Sequence, residues 1–212
     1  MGDPGILAIW NDVRTGDEAE FEAWFQGEHL VERLAVPGFL FGRRHQAISG
    51  ESGYFNFYLV EHPEVLTSEP YLERLDNPTP LTRRIMSGTF INMSRTICHR
   101  RQRRGAFRGA YVVTVRFDAA PDETTLTGLV DELVADTGVA SGEIWTATDP
   151  ADQPLSMEEK LRGGDKKIKG ALMIDTLRQA HAEILGARFA KEFSGTQVGV
   201  FRVLCQLGRG DL

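Results

Sequence analysis

The chain has 212 residues, 42% of them apolar and 25% charged, with a formal net charge of -6 and two cysteines. That acidity argues against a general polyanion binder, whose affinity rests on a basic surface that displaces counterions. Two thiols make no disulfide framework and fit a reducing compartment. The first residues, Met1-Gly2-Asp3-Pro4-Gly5, lack the basic start and apolar run of a signal peptide, and no apolar stretch approaches the roughly 20 residues of a membrane span. A cytoplasmic protein that engages neither membrane nor nucleic acid is therefore expected.

Residues 6–11 read as a short apolar strand. Thr15 is a candidate helix N-cap, with Glu18 completing a capping box. Phe21, Trp24 and Phe25 then recur at helical spacing, predicting an amphipathic helix that loosens near Gly27 and ends by Pro37-Gly38. Residues 39–48 and 54–60 are predicted strands joined by a turn-rich loop, which makes an antiparallel hairpin. A helical stretch from Pro63 through Leu75, a break at Asn77-Pro78-Thr79-Pro80 and a strand over 90–98 complete one β-α-β-β-α-β unit.

The second half runs the same course. Residues 111–117 read as a strand, 122–136 as a helix with Leu126, Leu129, Val130 and Leu133 on one side, and 143–148 as a strand. After a polar insertion over 149–170 come a strand at 171–175, a helix at 176–192 and a closing strand at 197–207. Leu177, Ile184, Leu185 and Phe189 are the apolar residues of that helix. Gly88, Thr89, Arg95 and Cys98 recur at one offset as Gly195, Thr196, Arg202 and Cys205, so the two final strands share a G-T-x5-R-x2-C pattern. The expectation is an α+β chain of two tandem ferredoxin-like repeats, residues 1–104 and 105–212. A four-stranded sheet with helices on one side leaves its other face bare, and two such sheets can cover each other. One chain can then close a pseudo-dimeric barrel as a monomer, or two chains can pair as a homodimer.

His29 is the leading catalytic candidate, because an imidazole titrates near neutrality and can move a proton in either direction. Tyr54, Asn56 and Tyr58 share one face of their strand. The opposite face, Phe55, Phe57 and Leu59, is apolar and is expected to pack on the helices, leaving the phenols to line the space between the sheets. Tyr58 can donate a proton or hold a ligand carbonyl. Arg43 and His45 share a face with Phe41 and Phe39; Arg44 and Gln46 face the other way, and one set meets the helices while the other meets the pocket. The histidines show no metal-ligand spacing, so neither a metal nor another cofactor is expected. The basic run over 99–104 reads as a solvated linker, and the Gly163-Gly164 segment as a flexible turn or a lid over the pocket.

Residues 6–98 resemble the dimeric α+β barrel superfamily, in particular its EthD-like branch. The residues that carry the resemblance are Trp24-Phe25-x-x-Glu28-His29-Leu30-x-Glu32, Pro37-Gly38-Phe39, Arg43-Arg44-His45, Tyr54-x-x-x-Tyr58 and Tyr71 with Asn77-Pro78-Thr79. His45 departs from the pattern, standing where an aromatic residue is expected, and the second half lacks the Trp, the His and the Pro-Gly-Phe. The resemblance implies a small pocket for an aromatic or apolar molecule, serving a cofactor-independent isomerase, cyclase or lyase of aromatic or polyketide-like metabolites. In that expectation His29 and Tyr58 are catalytic, and Trp24, Phe39, Arg43, His45, Tyr54 and Asn56 bind the substrate. The alternative is a non-catalytic binding protein for a small apolar metabolite.

Overall fold

A computed structural model of the chain describes residues 3–148 and 156–212. Its first half runs β1 (Gly5–Val13), α1 (Glu18–Trp24), a π-helical turn (Phe25–His29), α2 (Leu30–Ala35), β2 (Phe39–Ser49), β3 (Tyr54–Val60), α3 (Glu69–Asp76), α4 (Pro80–Gly88) and β4 (Phe90–Arg104). The second half runs β5 (Tyr111–Phe117), α5 (Glu123–Leu133), β6 (Val139–Ala147), α6 (Met157–Arg162), β7 (Gly170–Thr176), α7 (Gln179–Glu192) and β8 (Gln197–Gly208).

All eight strands close into one antiparallel barrel in the order β1-β3-β2-β8-β5-β7-β6-β4. Each half contributes its strands in the ferredoxin-like order, and two seams join the halves: β2 pairs with β8, and β4 pairs with β6. The sheets are therefore linked edge to edge as well as facing each other, which removes the free edges that would otherwise invite aggregation. The predicted linker at 99–104 is instead the end of β4. Arg100 lies opposite Trp145 and Arg103 opposite Glu143, and the arginines are held by Asp3, Glu143 and Asp131 at 2.9, 3.1 and 2.8 Å from Arg101, Arg103 and Arg104.

Closure gives the molecule three cores. Ile6, Ala8 and Trp10 of β1 point into the lumen with Phe55, Phe57, Trp145, Met173 and Phe201. The alternate residues Leu7 and Ile9 meet α1, α2, α3 and α4 on the outside, and a separate outer core lies under α5 and α7. Strands buried on both faces carry near-continuous apolar runs, as β1 and β7 do.

Two local expectations change. Thr15 is not the cap of α1; Asp17 holds the N-cap position and Glu18 folds back to accept from the Gly16 amide at 2.8 Å. The last helix, α7, begins only at Gln179, so Leu177 lies outside it and is exposed; Ile184 is exposed too, and the buried face is Ala182, Leu185, Gly186 and Phe189. Of the insertion at 149–170, residues 149–155 lie outside the described residues. The remainder forms α6, which packs on α3, α4 and β4 of the other half.

Candidate functional site

The site lies on the helix side of the first half, beneath the segment from α1 to α2. Gly27, a poor helix former, sits where the helix widens into a π turn. Residues five apart in a regular α-helix lie about 140° apart around the axis. The wider turn brings Trp24 and His29 onto one side, with ring centroids 4.2 Å apart. Trp24 is fixed in turn by a 2.9 Å hydrogen bond from its indole to Thr82, whose hydroxyl donates to Glu28 at 2.7 Å. Glu28 is thereby committed to positioning.

Opposite this wall stands Tyr58 on β3, its ring edge-on to His29 with centroids 6.4 Å apart. The backbone can approach this closely because β2 carries Gly42, where an added Cβ would fall 2.6 Å from Leu30 and 3.0 Å from the Tyr58 ring. His29, Tyr58, Asn56, Arg33, Arg95 and Glu158 line a cavity of about 30 Å³, room for one or two waters.

The electrostatics are unusual for so enclosed a place. His29 is 7% exposed, and its Nδ1 has no hydrogen-bond partner. Burial, and then the charges of Arg33, Arg162 and Arg44, hold its pKa well below 6.5, so it is neutral at physiological pH. The Tyr58 hydroxyl is likewise buried without a partner, and burial pushes its pKa up, so the phenol keeps its proton. Arg33 is paired with the buried carboxylate of Glu158, which reaches in from α6. Arg162 is bound to Asp165 at 2.8 Å and approaches Glu158 at 3.8 Å. Arg95 donates to the Tyr71 hydroxyl at 2.8 Å and, among the described residues, has no carboxylate within ion-pair distance. Three guanidinium groups, those of Arg33, Arg95 and Arg162, thus gather at the cavity, two of them paired with Glu158 and Asp165. A neutral base, a neutral phenol and guanidinium charge in a water-poor space can accept a proton from carbon or oxygen and stabilise the anion that results.

Of the residues named from sequence, His29, Tyr58, Asn56, Trp24 and Phe39 gather here. Asn56 lines the cavity and donates to Asn11 at 3.0 Å, while Phe39 packs edge-on to Tyr58 with centroids 5.7 Å apart. Tyr54 is buried on the same face but lies away from the cavity, against Phe21 and the Arg44 guanidinium, 5.4 and 4.9 Å from its ring.

Arg43 and His45 do not join them. The face assignment of β3 is the reverse of the expected one: Tyr54 and Tyr58 pack under the helices, and Phe55 and Phe57 point into the lumen. The physical reason is barrel closure, which makes the helix-free face a dry interior where aromatic hydrocarbon is favoured over hydroxyls. Arg43 and His45 share that lumen. Arg43 is tied to Asp175 at 2.6 Å and to the Gly109 carbonyl. His45 lies flat on Phe55, centroids 4.8 Å apart, with its Nδ1 2.9 Å from the Phe55 carbonyl. A register shift between Phe39 and Phe41 puts Phe39 on the helix side, away from Phe41.

Sequence reasoning missed Arg33, Glu158 and Arg162 as parts of the site. Arg33 had a signal, since it stands four residues after His29 on one helical face. Glu158 and Arg162 had none, because they come from an insertion in the other half. The internal sequence match also takes on a different meaning: Cys98 faces the lumen and Cys205 packs against the outer core of the first half.

No family model matches the chain, and no curated protein matches it in sequence. Solved structures do match in shape. An anthrone oxidase-like protein superposes with a TM-score of 0.66 at 12% identity, covering 100% of this chain and 96% of its own. A Fusobacterium nucleatum protein provisionally called a monooxygenase gives 0.60 at 9% identity, covering 100% and 97%. The chlorite dismutase of Candidatus Nitrospira defluvii gives 0.50 at 10% identity, covering 94% and 91%. The fold is the dimeric α+β barrel. This barrel is closed within a single polypeptide, and identities this low speak to the fold alone. No helix among the described residues is long and apolar enough to cross a membrane.

Proposed function

We propose that the chain is a cofactor-independent enzyme of the isomerase, cyclase or lyase type, which moves a proton on an aromatic or polyketide-like carbon acid. The observation that carries this reading is the pairing of an unpartnered neutral imidazole, His29, with an unpartnered phenol, Tyr58, in one enclosed cavity. Buried polar groups are normally hydrogen-bonded, and two left without partners side by side point to a ligand that satisfies them. The EthD-like resemblance of residues 6–98 supports the same reading.

In the proposed reaction His29 takes a proton from a carbon acidified by a carbonyl, either beside it or conjugated to it through an aromatic ring. The electron pair moves to the carbonyl oxygen, and the resulting enolate is held by the Tyr58 hydroxyl and the guanidinium charge. Collapse of the enolate returns the proton at another carbon, expels a leaving group or closes a ring. A positioned base contributes about 10²–10⁴ in rate, and losing one oxyanion donor costs about 10²–10³.

The test is deuterium wash-in at the acidic methylene of anthrone in D₂O, followed by mass spectrometry. The native protein is expected to accelerate exchange, His29→Gln to abolish the acceleration, and Tyr58→Phe to reduce it about 10²-fold, with anthrone affinity changed only a few-fold. Saturable binding of anthrone and related aromatic ketones with no exchange above the uncatalysed rate would replace the enzyme by a binding protein for a small apolar metabolite.

A further inference from the structure

The cavity is closed from one side by a segment that the first half does not supply. α6 is six residues long, too short to stand as a helix unless it is packed, and it lies on α3, α4 and β4. Its Glu158 is 3% exposed and reaches Arg33 on α2. Ligand pockets for aromatic molecules measure about 300–1,000 Å³, and with α6 in place the space is about 30 Å³. No aromatic ring enters unless something moves.

We infer that α6 is a displaceable plug, that its Glu158 carboxylate occupies the place of a ligand anion, and that the pocket selects flat aromatic ligands bearing an anionic group. This deepens the reading of the same cavity as the functional site and rests on it. Three observations carry the inference. First, the plug is followed by Gly163 and Gly164, both in the left-handed region at φ +82° and +98°, with open space where a side chain would stand; they cap the short helix, and glycine at both positions leaves the backbone free to take other conformations. Second, Arg33 and Arg95 flank the Tyr71 ring at 5.9 and 6.0 Å from its centroid, so two guanidinium groups sit beside an aromatic surface. Third, a further buried nitrogen of Arg33 has no partner while Glu158 is in place, so the site can accept a better-fitting acceptor than the one it holds. A planar carboxylate meets a guanidinium in two parallel hydrogen bonds. When Glu158 swings out, Arg33 and Arg95 face the cavity without a counter-charge, and an anionic ligand supplies it. A neutral ligand of the same shape must displace the plug without replacing that charge, so it binds more weakly.

The experiment uses the intact chain and two isosteric probes, 2-naphthoate and 2-naphthamide, titrated by calorimetry. Neither probe is a carbon acid, so the result is independent of turnover. The native protein is expected to bind the acid at least 10-fold more tightly than the amide. Glu158→Gln keeps the shape of the plug and removes its charge, and it should tighten naphthoate about 10-fold and naphthamide with it, because either probe must displace the plug. Amide hydrogen exchange across residues 157–162 should speed up when naphthoate binds the native protein, a readout that needs no variant. Equal affinity for acid and amide, or α6 amides that stay equally protected with naphthoate bound, overturns the inference. Anthrone exchange that persists alongside either result leaves the proton-transfer reading standing without the plug.

Discussion

The imidazole of His29 lies 4.2 Å from the indole of Trp24, centroid to centroid, with the rings tilted by 35°. This contact joins a buried hydrogen-bond chain, Trp24 to Thr82 to Glu28, to the group proposed to move protons. Trp24→Phe keeps a ring beside His29 but removes the indole donor. It should cost about 1 kcal/mol in urea unfolding, the usual worth of one buried hydrogen bond, and lower the exchange rate through a less fixed imidazole.

Gly42 is the second support of the site. Gly42→Ala places a methyl group 2.6 Å from Leu30 and 3.0 Å from the Tyr58 ring. Overpacking of this kind costs about 1–3 kcal/mol, so the urea midpoint should fall. The surviving folded protein should lose activity more than an exposed-site variant of equal stability, because the methyl group pushes on Tyr58 itself. Activity that tracks stability alone would separate Gly42 from the site.

The lumen offers the converse case. Arg43 and Asp175 form a buried pair at 2.6 Å, further bonded to Gly109 and, through Asp175, to Ser141 at 3.1 Å. Arg43→Met leaves Asp175 buried and uncompensated, a loss of about 3–5 kcal/mol, and Arg43→Met with Asp175→Leu should recover much of it. Specific activity per folded molecule should stay at the native level in the double variant, since the pair faces away from the His29 cavity. A double variant that is stable and inactive would bring the lumen into the mechanism.

Two histidines make stability depend on pH. Burial holds the pKa values of His29 and His45 well below 6.5 in the folded state, while the unfolded chain titrates them near 6.5. Above that value neither state takes up a proton and the contribution is complete. As pH falls below it, the unfolded state binds protons that the folded state refuses, so stability drops by up to about 1.4 kcal/mol per pH unit for each histidine. Urea unfolding between pH 6.5 and 5.0 should show this slope, and His29→Gln should remove about half of it. A slope unchanged in both His29→Gln and His45→Gln would assign it to other groups.

Much of the fold was legible in the sequence because it is written in local signals. The strands Tyr54–Val60 and Tyr111–Phe117 fall where alternation and turn residues put them, and the loosening at Gly27 became a π turn. The sides of the strands were not legible. A period of two says which residues share a face, and in a closed barrel both faces are interiors. Phe55 and Phe57 were therefore assigned to the outer core although they fill the lumen. Arg43 and His45 followed the same ambiguity, and the register shift at Phe39 broke the parity that would have linked them. His29, Tyr58, Trp24, Phe39 and Asn56 could be grouped from the sequence because they lie within one half. Glu158 escaped because its arrival depends on barrel closure, a relationship between positions 125 residues apart.

The two seams, β2 with β8 and β4 with β6, have a wider consequence. A barrel assembled from two identical subunits must carry every alteration twice, once on each side of its symmetry axis. Here the two halves need not match, and the outer layer of the second is an apolar core under α5 and α7. That half lends α6 across the boundary, so the asymmetry turns a neighbour into an accessory.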